Sequence, residues 1–342
     1  MSNSYDALVL VSFGGPEGRD DVMPFLRNVT RGRGIPDERL AAVAEHYYHF
    51  DGVSPINDQN RALLAALRDD FAANGLDLPM YWGNRNWSPY LADTVRVMRD
   101  DGVRRALAFV TSAYGSFSAC RQYQNDIAAA REQVGVDAPA IDKIRHYFNH
   151  PGFIAPNVDA VRQAFSGMPA GTRLLFTAHS IPVAMAQASG PDGSLYVAEL
   201  AEAARLVASA AAPGGEHELV WQSRSGPPSV AWLKPDVSDR ITELAAAGVP
   251  GVVVSPIGFV SDHLEVAWDL DIEAARTAER AGIRFARAAT AGDDPRFVAM
   301  VRELVRERTD AGSPKLAIGA MGPSHDVCPA GCCPSGWPAR TG

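Results

Sequence analysis

Leu174-Leu-Phe-Thr-Ala-His-Ser-Ile-Pro182 and Val249-Pro-Gly-Val-Val-Val-Ser-Pro-Ile-Gly-Phe-Val-Ser-Asp-His-Leu-Glu265 carry the strongest structural signal in this chain. Each holds a short run of aliphatic residues bounded by a turn former, the mark of a strand buried on both faces. The first run ends on His179. The second leads into a helical stretch bearing Glu265, Asp269 and Glu273 at i, i+4 and i+8, which a 3.6-residue turn sets in one column. Such a column can pass protons or hold a hard cation. On spacing alone, a solvated acidic face near a helix N-terminus is the commoner reading.

Outward from these segments, strand-like runs at 7–13, 80–83 and 106–112 alternate with helical patterns at 36–48, 59–73, 89–100 and 118–133. After a linker at 147–152 the alternation resumes. A helix is expected at 155–165, strands at 173–178, 218–222, 251–256 and 283–286, and helices at 196–211, 237–247, 264–281 and 295–308. This predicts an α/β protein of two similar domains, 1–150 and 151–310, each a parallel sheet flanked by helices. No repeat is visible in the residues themselves. Ligand sites in open parallel sheets gather at the carboxyl ends of strands, so His179 and Glu265 are placed to face one cleft.

Composition is that of an ordinary globular enzyme, 46% hydrophobic and 21% charged, and 342 residues suffice for two cores. A net charge of −8 argues against a nucleic-acid partner, since phosphate binding needs clustered cations. Only Lys143, Lys234 and Lys315 are lysines among the 32 basic residues, a skew that reads as base composition rather than chemistry. The first residues show no basic region followed by an apolar run, and no apolar run reaches the ~20 residues of a transmembrane segment. These features predict a cytoplasmic protein, in transient contact with a membrane or with proteins acting upstream or downstream of it.

Thr177-Ala-His-Ser-Ile-Pro182, Gln222-Ser-Arg-Ser-Gly-Pro-Pro228, Trp232-Leu-Lys-Pro235 and Pro256-Ile-Gly-Phe-Val-Ser-Asp-His-Leu-Glu-Val266, in this order, resemble ferrochelatase, which inserts ferrous iron into a porphyrin. Ser12-Phe-Gly-Gly-Pro16, Asn28-Val-Thr-Arg-Gly-Arg33 and Gly52-Val-Ser-Pro-Ile56 are similar to that family's first-strand loop and porphyrin-contacting segments. The resemblance spans 5–308 and implies paired Rossmann-like, chelatase-type domains. Phe13, the segment ending Cys120-Arg-Gln-Tyr123 and the cysteines near the C-terminus look most like the actinobacterial type, which implies coproporphyrin III and Fe2+ as substrates. Protoporphyrin IX is the runner-up. Cobalt or nickel insertion into sirohydrochlorin fits less well, because those proteins lack the 222–228 and 232–235 strings. A porphyrin or haem carrier with an iron–sulfur sensor is the non-enzymatic alternative.

The resemblance also implies roles. His179 is the active-site histidine, acting as a base or as a transient iron ligand, and Glu265 orients it or shares its charge. Asp269 and Glu273 extend an acidic track for iron transit. Phe13, Arg31, Arg33, His46, Tyr47, Ser54 and Tyr123 fall in porphyrin-contacting segments. Phe13 stands where some relatives have tyrosine and offers a stacking face but no metal ligand. Asp51 stands where a second glycine is usual, and its carboxylate would repel a propionate unless it points away.

Three of the four cysteines, Cys328, Cys332 and Cys333, lie in the last fifteen residues, and Cys120 is far upstream. The tail 311–342 is rich in Gly and Pro and needs something to hold it. Spacing alone leaves a [2Fe–2S] cluster, a zinc site and free or redox-paired thiols open. The resemblance implies the cluster, with all four cysteines as ligands.

Overall fold

The computed structural model describes residues 5–226 and 229–335. Pro227 and Pro228 of the 222–228 string, and the ends 1–4 and 336–342 of the expected first domain and tail, lie outside the described residues. Eight strands are formed among the described residues: β1 Ala7–Ser12, β2 Met80–Asn84, β3 Arg105–Val110, β4 Ala140–Lys143, β5 Arg173–His179, β6 His217–Gln222, β7 Gly251–Ser255 and β8 Arg284–Arg287. They make two parallel four-stranded sheets of orders β2-β1-β3-β4 and β6-β5-β7-β8, the same topology twice. Strands β1 and β7 are buried along their whole length, as unbroken aliphatic runs require when helices cover both faces.

The helices are α1 Arg19–Val29, α2 Asp37–Tyr48, α3 Ile56–Ala73, α4 Leu91–Asp100, α5 Gln122–Val134, α6 Pro151–Phe165, α7 Val183–Gln187, α8 Leu195–Ala211, α9 Val237–Ala246, α10 Leu264–Val266, α11 Ala275–Arg280 and α12 Pro295–Thr309. One continuous core joins residues of both sheets, including Leu8, Leu10, Phe109, Leu174, Phe176 and Val253. Helix α12 ties the halves further, because Arg302 Nε donates to Asp70 Oδ2 of α3 at 2.7 Å.

Several features depart from the sequence expectations, helix α7 among them. Strand β4 is a four-residue edge whose Asp142 and Lys143 hide it from an apolar scan. Helix α1 lacks a side-chain N-cap and carries Pro24, which removes an i→i−4 hydrogen bond, so it lacks the usual signals of a helix. The expected single helix over 264–281 is α10 and α11 joined through a π-wound segment, Ala267–Ala274. A second π turn, Phe117–Arg121, holds Cys120 at the entry to α5. Such wide turns concentrate at functional sites.

Candidate active site

His179 is the last residue of β5, and the Tyr196 hydroxyl fixes its backbone by donating to its carbonyl at 2.9 Å. The Nδ1 atom lies 2.6 Å from the Ser180 carbonyl oxygen. A carbonyl only accepts, so Nδ1 carries the proton in the neutral ring and Nε2 keeps its lone pair. That Nε2 faces Glu265 Oε2 at 3.7 Å, with both side chains partly open to solvent.

Glu265 is oriented from behind by His263, whose Nδ1 accepts the Glu265 backbone N–H at 3.1 Å and so caps α10. Burial lowers the His263 pKa, and positive charge on His179 would lower it further. His263 has no assigned role in the sequence analysis; its position two residues before Glu265, at the N-cap, is the signal that marks it.

Asp269 lies one turn on, within the π-wound segment. Ser223 Oγ makes a very short hydrogen bond to its carboxylate, and Gln222 Nε2 donates to the same oxygen at 3.3 Å. Burial pushes the Asp269 pKa up to about 7, and the carboxylates of Glu265 and Glu273 reinforce the rise. The column is thus an interacting set rather than three independent surface acids. The π winding, with more residues per turn than 3.6, counters the drift that an α-helix would give residues four apart.

The N-terminal half closes over this column. His46 stacks on Trp268 with ring centroids 4.1 Å apart and planes 8° from parallel, and His49 meets the same indole edge-on at 5.6 Å. Burial lowers the His46 pKa, opposed by the charges of Glu273 and Glu265. Tyr47 is buried at 5% exposure in a cluster with Phe25 and Leu264, against which Phe13 packs. Phe13 meets Phe25 edge-on at 6.3 Å, and the Arg85 guanidinium lies 5.6 Å from the Phe13 ring and 4.6 Å from that of Tyr123. Ser54 is also buried and sits so close to Gly15 that a Cβ there would come within 2.6 Å of the serine Cβ. Arg31 and Arg33 are exposed beyond the end of α1. Asp51 turns its carboxylate to Arg19 Nη1 at 3.1 Å, with φ of 54°, the left-handed region that glycine usually fills and aspartate tolerates. Arg85 and Trp268 have no sequence signal of their own, since only the fold brings them to this cleft.

The tail is docked before any metal is considered. Arg145 Nη2 donates to the Leu316 carbonyl, the Asn149 carbonyl accepts from Ile318, and Glu202 Oε1 accepts from Ala320, at 2.8, 2.9 and 2.7 Å. Further along, the four cysteines gather in one cluster. Cys332 Sγ lies 3.5 Å from Cys333 Sγ, and Cys328 neighbours Cys120, Cys332 and His325. The Cys120 neighbour lowers the Cys328 pKa, whereas burial raises that of Cys332. Cysteine sulfurs and His325 together form a cation-binding donor set. No helix among the described residues is long and apolar enough to cross a membrane.

The chain is similar to known proteins. A family model described as Ferrochelatase matches residues 5–309. Coproporphyrin III ferrochelatase of Streptomyces griseus is 57% identical over 351 aligned residues, covering 97% of this chain and 94% of that protein. Ferrochelatase of Rhodopirellula baltica is 56% identical, covering 96% and 93%. The solved structure of SirB from Bacillus subtilis with Fe3+ is similar in fold, with a TM-score of 0.51, 13% identity, and coverage of 92% of this chain and 100% of that one.

Proposed function

We propose, from the premise that this chain belongs to the ferrochelatase family, that it inserts ferrous iron into coproporphyrin III to give the iron coproporphyrin of haem biosynthesis. The observation that carries the mechanism is the orientation of the His179 imidazole, with Nδ1 held on the Ser180 carbonyl and Nε2 turned toward the Glu265 carboxylate.

Metal insertion must remove two pyrrole N–H protons. His179 Nε2 accepts a pyrrole proton, and the imidazolium that forms is stabilised by Glu265 across 3.7 Å. Asp269, with a pKa near neutrality, takes up or releases a proton at working pH without a large free-energy step. Ferrous iron approaches along the carboxylates of Glu273, Asp269 and Glu265, whose mutual repulsion favours transit over tight retention. Phe13 supplies an apolar face, while Arg31, Arg33, His46, Tyr47, Ser54 and Tyr123 belong to the porphyrin-contacting segments. The division into 1–150, 151–310 and a tail at 311–342 is part of the same proposal, supported by the repeated strand order, as is a cytoplasmic location.

The tail is assigned a [2Fe–2S] cluster held by Cys120, Cys328, Cys332 and Cys333. Two thiolates on one tetrahedral metal with bonds of about 2.3 Å sit roughly 3.7 Å apart. The 3.5 Å separation of Cys332 and Cys333 sulfurs fits such a pair, and Cys120 with Cys328 supplies another. When bound, the cluster supplies thiolate–iron bonds linking Cys120 to the tail. Iron insertion is not a redox reaction and asks no electron of it.

The deciding experiment is anaerobic insertion of ferrous iron into coproporphyrin III and protoporphyrin IX, followed by ring absorbance. Faster turnover of coproporphyrin III is expected, and equal rates would remove the substrate assignment.

A further inference from the structure

The tail pocket holds five soft or borderline donors, one more than a [2Fe–2S] cluster uses. His325, Cys328 and Cys332 each present a ligand atom within 4.8 Å of the other two. Cys328 also neighbours Cys120, and Cys332 Sγ lies 3.5 Å from Cys333 Sγ. The imidazole thus shares one donor face with two of the four cysteine sulfurs.

We propose that this His325–Cys328–Cys332 face is a site for a single thiophilic divalent cation of the zinc or ferrous class, occupied when the cluster is absent. Three protein donors of this kind leave a fourth tetrahedral position open, as in exchangeable rather than purely structural sites. The ligand atoms are at most 4.8 Å apart, so reaching the roughly 3.5 Å spacing of bound ligands asks for at most about an ångström of movement in the tail, which carries no regular secondary structure there. A cavity of about 470 Å³ reaches His325 between the tail and α8, and its wall includes the buried Glu199. Behind His325, the His146 ring lies 6.2 Å away and is held by Glu199 at 3.1 Å, so the imidazole is backed by an ordered wall. Cluster and single ion exclude each other, because both take Cys328 and Cys332. The inference is independent of the porphyrin reading and survives if no cluster forms.

The test uses the full chain, reduced and freed of cluster, titrated anaerobically with Co2+ and followed by the ligand-field and thiolate-to-cobalt absorbance of a tetrahedral site. One cobalt per chain is expected. His325→Ala should weaken binding roughly tenfold or more, while the same variant reconstituted with iron and sulfide keeps full cluster absorbance. Cys120→Ser should do the opposite, retaining cobalt and losing the cluster. Absence of the tetrahedral cobalt spectrum in the wild type overturns the proposal, as does equal affinity in His325→Ala. Loss of cobalt and cluster together in that variant also overturns it, because His325 then serves the packing of the pocket.

Discussion

His179 Nε2 stands 3.7 Å from Glu265 Oε2 while Nδ1 of the same ring is fixed on the Ser180 carbonyl at 2.6 Å. The backbone thus chooses the tautomer, and the carboxylate stands on the side where the proposed reaction delivers a proton. His179→Ala should leave porphyrin binding largely intact and abolish metal insertion. Both are measured on one sample, by ring fluorescence quenching and by turnover. Turnover within about tenfold of wild type, roughly 1.4 kcal/mol of barrier, would mark the residue as structural.

The two ends of the acidic column should differ. Glu265 faces the imidazole, whereas Glu273 acts on Asp269 and His46 only through its charge. Glu265→Gln is therefore expected to lower kcat far more than Glu273→Gln. The outer variant should chiefly raise the iron concentration needed for half-maximal rate. The reverse order would place the chemistry elsewhere on the column.

The parts legible in sequence are those whose signal is local. Leu174, Leu175 and Phe176 or Val252, Val253 and Val254 announce strands because every side chain in them is buried. Glu265, Asp269 and Glu273 announce a column because four-residue spacing is close to a helical turn. The π winding around Asp269 leaves no such trace, since it changes hydrogen-bond partners without changing which residues are apolar. The stack of His46 on Trp268 joins residues more than two hundred positions apart, and the tail's anchors on Arg145, Asn149 and Glu202 each span more than one hundred. In the sequence, only the cysteines suggest what holds the tail. The missing signal was a set of buried polar side chains that only the folded chain gathers.

Asp269 supplies a pH test. Its folded pKa of about 7 lies above the ordinary carboxylate value, so between about pH 4 and 7 the folded state binds more protons than the unfolded one. Stability must then fall as pH rises through that window. Asp269→Asn keeps an oxygen to accept from Ser223 and removes the buried charge. Relative to wild type it should gain nothing near pH 4 and up to about 4 kcal/mol above pH 7. Urea denaturation across this range checks it, and a constant difference at all pH values would show that Asp269 does not titrate there.

Arg145 and Glu307 form a bidentate pair at 2.7 and 2.8 Å, with each side chain only 1% exposed. Arg145→Met leaves the glutamate buried without its partner and should cost on the order of 3–5 kcal/mol. The double variant Arg145→Met with Glu307→Met should recover part of that loss, because neither charge then remains in the interior. Equal destabilisation in the single and double variants would mean that Arg145 acts through its bonds to the Leu316 and His146 carbonyls instead.

The cluster assignment makes the last prediction. Wild-type protein should be reddish-brown and hold two iron and two sulfide atoms per chain, as a [2Fe–2S] centre requires. Serine at Cys120, Cys328, Cys332 or Cys333 should bleach it. Because Leu316, Ile318 and Ala320 are anchored on Arg145, Asn149 and Glu202 without metal, bleaching should loosen only the chain beyond them. Limited proteolysis would then cut after residue 324 in the variants and spare the preceding segment. Insertion should persist, since the proposed site rests on His179, Glu265 and Phe13, all of which precede the tail in the chain. Wild-type protein isolated colourless with one zinc would remove the cluster assignment. A bleached variant that stays folded and binds porphyrin, yet cannot insert iron, would give the cluster a part in the reaction that this geometry does not.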